Sequence, residues 1–315
     1  MTDKEKYRNL CMIETSINLY QQDWFLDCVC GENNWNVLLF LQKNNIEAAM
    51  PFYMPKKGII IMPPYAQYLG IWFNPDFEDN KYSTNLFRKQ QICDFFIKHL
   101  PKHKIFLQNF HSSFNDWLPF YWKGFNQTTR YNYVIPSIKD KEELWENLNS
   151  NIQRNIIKAE KNYNLKIKNN ISIDLFIDIL IQTYKRQEEK PYHFDVLKKL
   201  ISLAKKRCQG EIWGAYDETN ALHAAVFIIW ENNCAWYIAG GGNTELRKSG
   251  GHAFVMWKAI NELPKQINSF DFEGSMDQGI ERFFKSFGAI QKTYFTISKG
   301  KLNLFQKIIM KFTKK

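Results

Sequence analysis

The sequence repeats itself, and that repetition limits the folds open to it. Asp116 to Ile135, "DWLPFYWKGFNQTTRYNYVI", and Ile280 to Ile297, "IERFFKSFGAIQKTYFTI", share one layout. Each has an aromatic helical stretch, a Gly, a Gln three residues later, then Thr and an aromatic strand. At the same offset "IFLQNF" (Ile105 to Phe110) falls on "SFDFEG" (Ser269 to Gly274), each a short strand before that helix. Upstream, Trp35 to Tyr53 matches Glu211 to Trp230, each reading as strand, polar turn and Ala-Ala strand, a β-hairpin signal. Three matches in the same order predict a duplicated α+β domain: a mixed sheet flanked by helices, built twice within 315 residues.

Between the copies the pattern turns helical. "DKEELWENLNSNIQRNIIKAEKNYN" opens on Asp140 as N-cap with Glu143 three residues on. Leu144, Leu148, Ile152, Ile156 and Ala159 form its apolar stripe, and Arg154, Lys158 and Lys161 recur on another face. "IDLFIDILIQTYKRQEEK" is a second helix, ended by Pro191, and "FDVLKKLISLAKKR" a third. The expected division is therefore 1–136 for the first copy and 137–315 for the helical insert plus the second copy. The basic, amphipathic ending "LNLFQKIIMKFTKK" suits a final helix packed on its own domain or peripheral contact with an anionic membrane.

Several function classes drop out. "MTDKEKYRNLCM" has no apolar h-region, and no apolar run approaches the roughly 20 residues of a membrane span, so a cytoplasmic protein is expected. The six cysteines include no CxxC pair, and Pro101 between His99 and His103 spoils a zinc-binding helix face. No metal site is expected. The net charge of +10 favours anionic partners: nucleotides, coenzyme A, RNA or acidic membrane.

The stretch "YIAGGGNTELRKSGGHAFVMWKAI", Tyr237 to Ile260, is where such an anion would bind. It contains neither GxxxxGK[ST] nor a GxGxxG opening a βαβ unit, which excludes a Walker loop and a Rossmann fingerprint. It does run from a strand through three glycines and "RKSGGHA" into a helix. A helix N-terminus presents N–H donors and a positive dipole end, and glycines there let phosphate approach the backbone. Arg247, Lys248, Ser249, Gly250, Gly251 and His252 are the candidate phosphate-binding residues. The first copy, "NPDFEDNKYSTNLFRKQQICDFF", has acids and no glycine at this place, so donor binding is expected in the second copy.

Arg247 and Gly250 fit the R-x-x-G-x-(G/A) pyrophosphate loop of GNAT acyltransferases, with His252 standing where that family has Gly or Ala. "NIQRNIIKAEKNYNLKI" resembles the Fem-type RR-x-I-x-KAxKxGV segment at Arg154, Lys158 and Ala159, with Asn155 breaking a basic position. "FEGSMDQGIERFFKSFGA" resembles the Fem-type ending at Phe284, Lys285 and Gly288. The chain thus resembles the Fem peptidoglycan aminoacyltransferases and related tandem GNAT proteins over most of its length.

The resemblance implies an N-acyltransferase with two tandem GNAT-like domains, using acyl-CoA or aminoacyl-tRNA as co-substrate and holding no tightly bound cofactor. Its acceptor would be an amine on a cell-envelope sugar or peptidoglycan precursor. A tRNA donor would use Arg154, Lys158 and Lys161. Transfer in this fold is direct, needing no nucleophilic Ser or Cys. In "SFDFEGS", strand alternation would set Asp271 and Glu273 on one face, raise each other's pKa and make Glu273 the base. His223 is a second base candidate. Lys285 would add positive charge near the oxyanion or the donor phosphates. The rival expectation is an inactive scaffold that binds RNA or membrane.

Overall fold

The computed structural model describes residues 1–77, 81–188 and 193–300. Pro191 and the tail from 301 lie outside the described residues. In chain order the elements are α1 (Asp3–Ile13), α2 (Asp23–Cys30), β1 (Trp35–Gln42), β2 (Asn45–Lys56), β3 (Ile59–Ile61), β4 (Trp72–Phe73), α3 (Tyr82–His99), β5 (Ile105–Phe110), α4 (Leu118–Trp122) and β6 (Asn126–Ile135). There follow α5 (Lys141–Glu146), α6 (Ser150–Asn162), β7 (Lys166–Lys168), α7 (Ile173–Arg186), α8 (Phe194–Lys206), β8 (Gly210–Tyr216), β9 (Leu222–Glu231), β10 (Cys234–Gly242), α9 (Gly251–Asn261), β11 (Ser269–Asp271), α10 (Gln278–Lys285) and β12 (Ile290–Lys299).

The chain forms two compact units, one of Met1–Tyr131 with residues from Thr293 on, the other of Asn132–Lys292. The break thus comes at 131/132 rather than at 136/137. Strand β12 belongs with the first unit, where the sequence division had put it with the second. The reason lies in strand pairing. Phe295 to Lys299 of β12 pair antiparallel with β5, so the last strand completes the first sheet, ordered β1-β2-β3-β5-β12 with β4 on β2. In the second unit Val134 and Ile135 of β6 pair with β11, and the order runs β6-β11-β10-β9-β8-β7. A duplicated gene product that trades terminal strands this way cannot be cut cleanly at one position.

The two hairpins form as the alternating pattern requires: β1 pairs β2 from Trp35↔Tyr53, and β8 pairs β9 from Gly210↔Ile229. The paired helices α4 and α10 each hide one Phe, Phe120 and Phe284, and each is followed by a glycine in the left-handed region, Gly124 (φ 75°) and Gly288 (φ 77°). The first unit's core gathers Met50, Phe52, Phe96, Phe106, Phe110 and Phe120. In the second, β9 is buried from His223 to Ile229 and is covered by α9 on one side.

Within the insert, the stripe from Leu144 to Ala159 is buried as its spacing predicts. The single helix expected there is two, however. Asn149 caps a fresh start, its Oδ1 accepting the N–H of Asn151, while Asp140 caps α5 by accepting from Glu142 and Glu143. Asx side chains compete for backbone donors in this way and favour a break. Among the described residues no helix is long and apolar enough to cross a membrane, and no group of three His, Cys, Asp or Glu side chains is placed to hold a metal ion.

Candidate active site

The second unit holds a fork between parallel strands. β10 pairs with β11 only over Cys234–Trp236 and Ser269–Asp271. Beyond Asp271 the chain leaves β10 and follows β6, where Phe272 N–H donates to Tyr133 O (2.9 Å) and Tyr133 N–H to Glu273 O (3.0 Å). β10 runs on to Gly242 beside β9, with a register shift between Tyr237 and Ala239. Such a bulge re-aims backbone groups next to a functional cleft.

The three glycines turn out to be strand residues, not a phosphate loop: Gly240, Gly241 and Gly242 pair with Val226, Ala225 and Ala224. Helix α7 explains them. A Cβ on Gly241 would stand 2.8 Å from both Ile179 O and Thr183 Oγ1. Thr183 fastens the approach, with Gly242 N–H donating to its Oγ1 (3.0 Å). The glycines let a helix backbone lie directly on the strand, bringing the end of α7 to the loop that follows β10.

That loop makes a short turn of 3-10 helix over Arg247–Ser249, and Gly250 enters α9 in the left-handed region (φ 79°). Ser249 is buried, and its Oγ accepts the Gly251 N–H (3.1 Å) while pairing with His223 Nδ1 (2.9 Å). His223 Nε2 meets Asp217 Oδ2 at 3.1 Å, and hydrogen bonds from Thr219 and His223 hold the Asp217 carboxyl far below the usual carboxylate range. Both ring nitrogens are engaged and the ring is buried, so neither nitrogen of His223 is free for an incoming ammonium. It ties the loop to the start of β9, and so is not the base the sequence offered. Ser249 and Gly251 serve the same clamp, leaving the N–H groups of His252 and Ala253 as the helix-end donors.

Three positive or hydrogen-bonding side chains surround that helix end. Arg186, in the last turn of α7, is close enough to Arg247 and to His252 for each to feel its charge. Neither guanidinium has an ion-pair partner among the described residues. The ring of His252 packs edge-on against Phe283 (5.2 Å between centroids), and its Nε2 is buried with no hydrogen-bond partner among the described residues. Burial, with Arg186 adding to it, lowers the His252 pKa to about 4, so the ring is neutral at neutral pH. Lys248 is exposed beside Arg247. Helix α6 abuts the loop, since a Cβ on Gly250 would come within 2.6 Å of Asn155 O. On α6, Arg154 and Lys161 are exposed, and Lys158 lies over the Tyr163 ring (5.8 Å).

At the fork, Asp271 and Glu273 are both buried but do not alternate along a strand. The strand ends at Asp271, and Glu273 has a left-handed backbone (φ 59°). Asp271 Oδ1 accepts the Glu273 N–H (2.7 Å) and Oδ2 accepts from Asn132 Nδ2 (2.9 Å). The aspartate therefore braces a strained turn that presents the glutamate. Phe272 beneath it stacks on Phe284 (5.1 Å). Burial, Tyr184 and Glu273 together push the Tyr237 hydroxyl well above its ordinary range, so Tyr237 keeps its proton and lies near Glu273. Lys285 is over half exposed and ion-paired to Glu281 (3.3 Å), which also accepts from Tyr133 OH (2.9 Å).

Tyr237 and Arg186 were missed in the sequence. Tyr237 stands immediately before the bulge, at the head of the glycine run. Arg186 is distant in sequence, and only the small residues at Gly241 and Thr183 hint that α7 must touch β10.

This geometry is the tandem GNAT fold, shared with Fem structures. The chain is similar to FemX with a TM-score of 0.65 at 10% identity, covering 94% of this chain and 96% of that one. It is similar to L-PGS from Bacillus licheniformis (TM-score 0.54, 11% identity, 98% and 96% covered). A tandem GNAT protein from the clavulanic acid biosynthesis pathway also matches (TM-score 0.50, 8% identity, 86% and 85% covered). No protein-family model and no curated protein matches the sequence.

Proposed function

We propose that the protein is an N-acyltransferase whose second unit binds the anionic carrier of the acyl group at the N-terminus of α9. The observation that carries this reading is the β10/β11 fork beside a helix end where Arg186, Arg247 and His252 come together with no ion-paired acid among the described residues. Fold likeness to FemX, L-PGS and a tandem GNAT protein supports it. An anion there would meet the two remaining helix N–H groups, two guanidinium groups and the unsatisfied Nε2 of His252.

In this reading the acyl group lies along the fork. Glu273 takes a proton from the incoming ammonium, and the freed amine attacks the acyl carbon. The oxyanion is met by backbone N–H groups of the diverging strand. Glu273 passes that first proton to solvent and takes the second from the nitrogen once the C–N bond has formed. As the C–S or C–O bond to the carrier breaks, Tyr237 gives its proton to the leaving atom and regains one from Glu273. No acyl-enzyme forms. Asp271 positions Glu273, while Lys285 and Glu281 brace α10.

Acyl-CoA, whose diphosphate is a compact anion, is the first reading of the donor. Aminoacyl-tRNA is the second reading, favoured by the basic residues Arg154, Lys158 and Lys161 on α6, the helix whose Asn155 abuts the same loop. An amine on a cell-envelope precursor remains the proposed acceptor class.

Removing the two arginines separates these cases. Arg186→Ala with Arg247→Ala should weaken coenzyme A binding by tenfold or more in calorimetry, since hydrogen bonds to charged groups contribute about 1.5–3 kcal/mol each. If RNA is the donor carrier, the log–log salt slope should instead fall by about 0.9 or less per lost contact. A double variant that binds both ligands like the wild type removes the anion site from this loop.

A further inference from the structure

The internal duplication supplies a control for the surface of the first unit. Counting back from Gly124 and Gly288, Phe120 of α4 corresponds to Phe284 of α10, and both are buried. At the outward positions the copies diverge. Where α10 presents Arg282, Lys285 and Ser286, α4 presents Leu118, Tyr121 and Trp122, which are 44%, 59% and 58% exposed. The fold does not need apolar side chains there, as the polar copy shows. Scattered exposed apolar residues are ordinary, but a cluster on one short helix marks a binding surface.

Helix α3 extends the patch. Gln90 donates to Asp116, just ahead of α4, and Asp94 pairs with Lys123, just after it, so this face of α3 is turned to α4. One turn before Gln90 on that face stands Phe87, 61% exposed. Cations border the cluster. Lys98 lies one turn beyond Asp94 and is exposed, Lys123 follows Trp122, and Lys299 Nζ donates to Lys123 O (2.6 Å). The two acids present are both engaged, Asp94 by Lys123 and Asp116 by Gln90 and the Leu118 N–H. From Lys299 the chain passes directly into a sequence with five lysines in its last fifteen residues.

We infer that this face of α4, with Phe87, seats on an anionic lipid bilayer. Trp and Tyr prefer the membrane interface, where an apolar ring and a polar edge are both satisfied, and lysines within a Debye length of anionic headgroups add attraction. The patch is the outer face of one short helix with a single residue of α3. Four side chains fall short of the about 800 Å² per partner that a stable protein interface buries. This inference concerns the first unit and does not depend on the donor site.

The test is co-sedimentation with vesicles of equal parts phosphatidylcholine and phosphatidylglycerol, and with vesicles of phosphatidylcholine alone. The wild type should bind the anionic vesicles, with a blue shift of tryptophan emission, and bind the neutral ones more weakly. Leu118→Ser, Tyr121→Ser, Trp122→Ser together should lower that binding at least tenfold without changing the melting temperature, because all three side chains are exposed. Lys98→Glu with Lys123→Glu should remove the preference for anionic vesicles. Failure of the wild type to sediment overturns the inference. So does a triple variant that sediments like the wild type, or one that converts a wild-type dimer to a monomer while the vesicles stay unbound.

Discussion

Glu273→Gln should reduce acyl transfer by about 10²–10⁴-fold, the usual cost of losing a general base. The substitution keeps the shape of the side chain and the backbone hydrogen bonds of residue 273 to Asp271 and Tyr133, so the turn should stand. What it loses is the ability to accept a proton from the ammonium. The fall in rate toward low pH, where the carboxylate gains a proton, should vanish with it. Donor affinity should be unchanged, because the proposed anion site is at the end of α9. Turnover near the wild-type rate with an unaltered pH profile would move the base elsewhere. Asp271→Asn offers a contrast, since Asp271 reaches the chemistry only through the Glu273 turn. A kcat loss well below that of Glu273→Gln, with the pH profile kept, marks a positioning residue.

Gly250→Leu should destabilise the second unit by roughly 3 kcal/mol or more. A non-glycine residue in the left-handed region costs about 1–2 kcal/mol, and Gly250 has φ 79°. Its new Cβ would also stand 2.6 Å from Asn155 O and 3.1 Å from Asn155 C and Cβ. Overpacking against such a neighbour typically costs about 1–3 kcal/mol more. The clash is with backbone, so no rotamer of Asn155 relieves it. A thermal melt should fall by about 6–12 °C. A variant that melts at the wild-type temperature would show that α6 can part from the loop. Loss of donor binding in this variant would therefore report on folding, which is why Arg186 and Arg247 are the cleaner probes.

Much of the architecture could be read from the sequence because the duplication is written in side-chain pattern. The hairpins at Trp35 and Glu211, the Phe-to-Gly helix ends at Gly124 and Gly288, and the buried stripe from Leu144 to Ala159 all follow from local periodicity. Where tertiary contacts decide, local pattern misleads. Gly240 to Gly242 read as a loop because glycine usually breaks strands, yet here it admits α7 onto β10. Asp271 and Glu273 read as neighbours on one strand face, until a left-handed residue at 273 ends the strand. The exchange of β12 into the first sheet leaves no local trace at all. Of the proposed site, the place of the Arg247 to His252 loop at the start of α9 was legible from glycine and charge. Arg186 was not, because its role comes from where helix α7 ends in space. His223 was misleading, since a polar residue opening an apolar strand looks like a catalytic group and is instead tied to Ser249 and Asp217.

Mass spectrometry of the purified protein mixed with acetyl-CoA, and separately with aminoacyl-tRNA, tests direct transfer most simply, because it needs no acceptor. Under native conditions a one-to-one complex with one donor is expected, weakened when Arg186 and Arg247 are both alanine. Under denaturing conditions the protein should return to its unmodified mass. An acyl group retained on the denatured chain, or no complex with either donor, would contradict a second unit that holds an acyl carrier for direct attack by an amine.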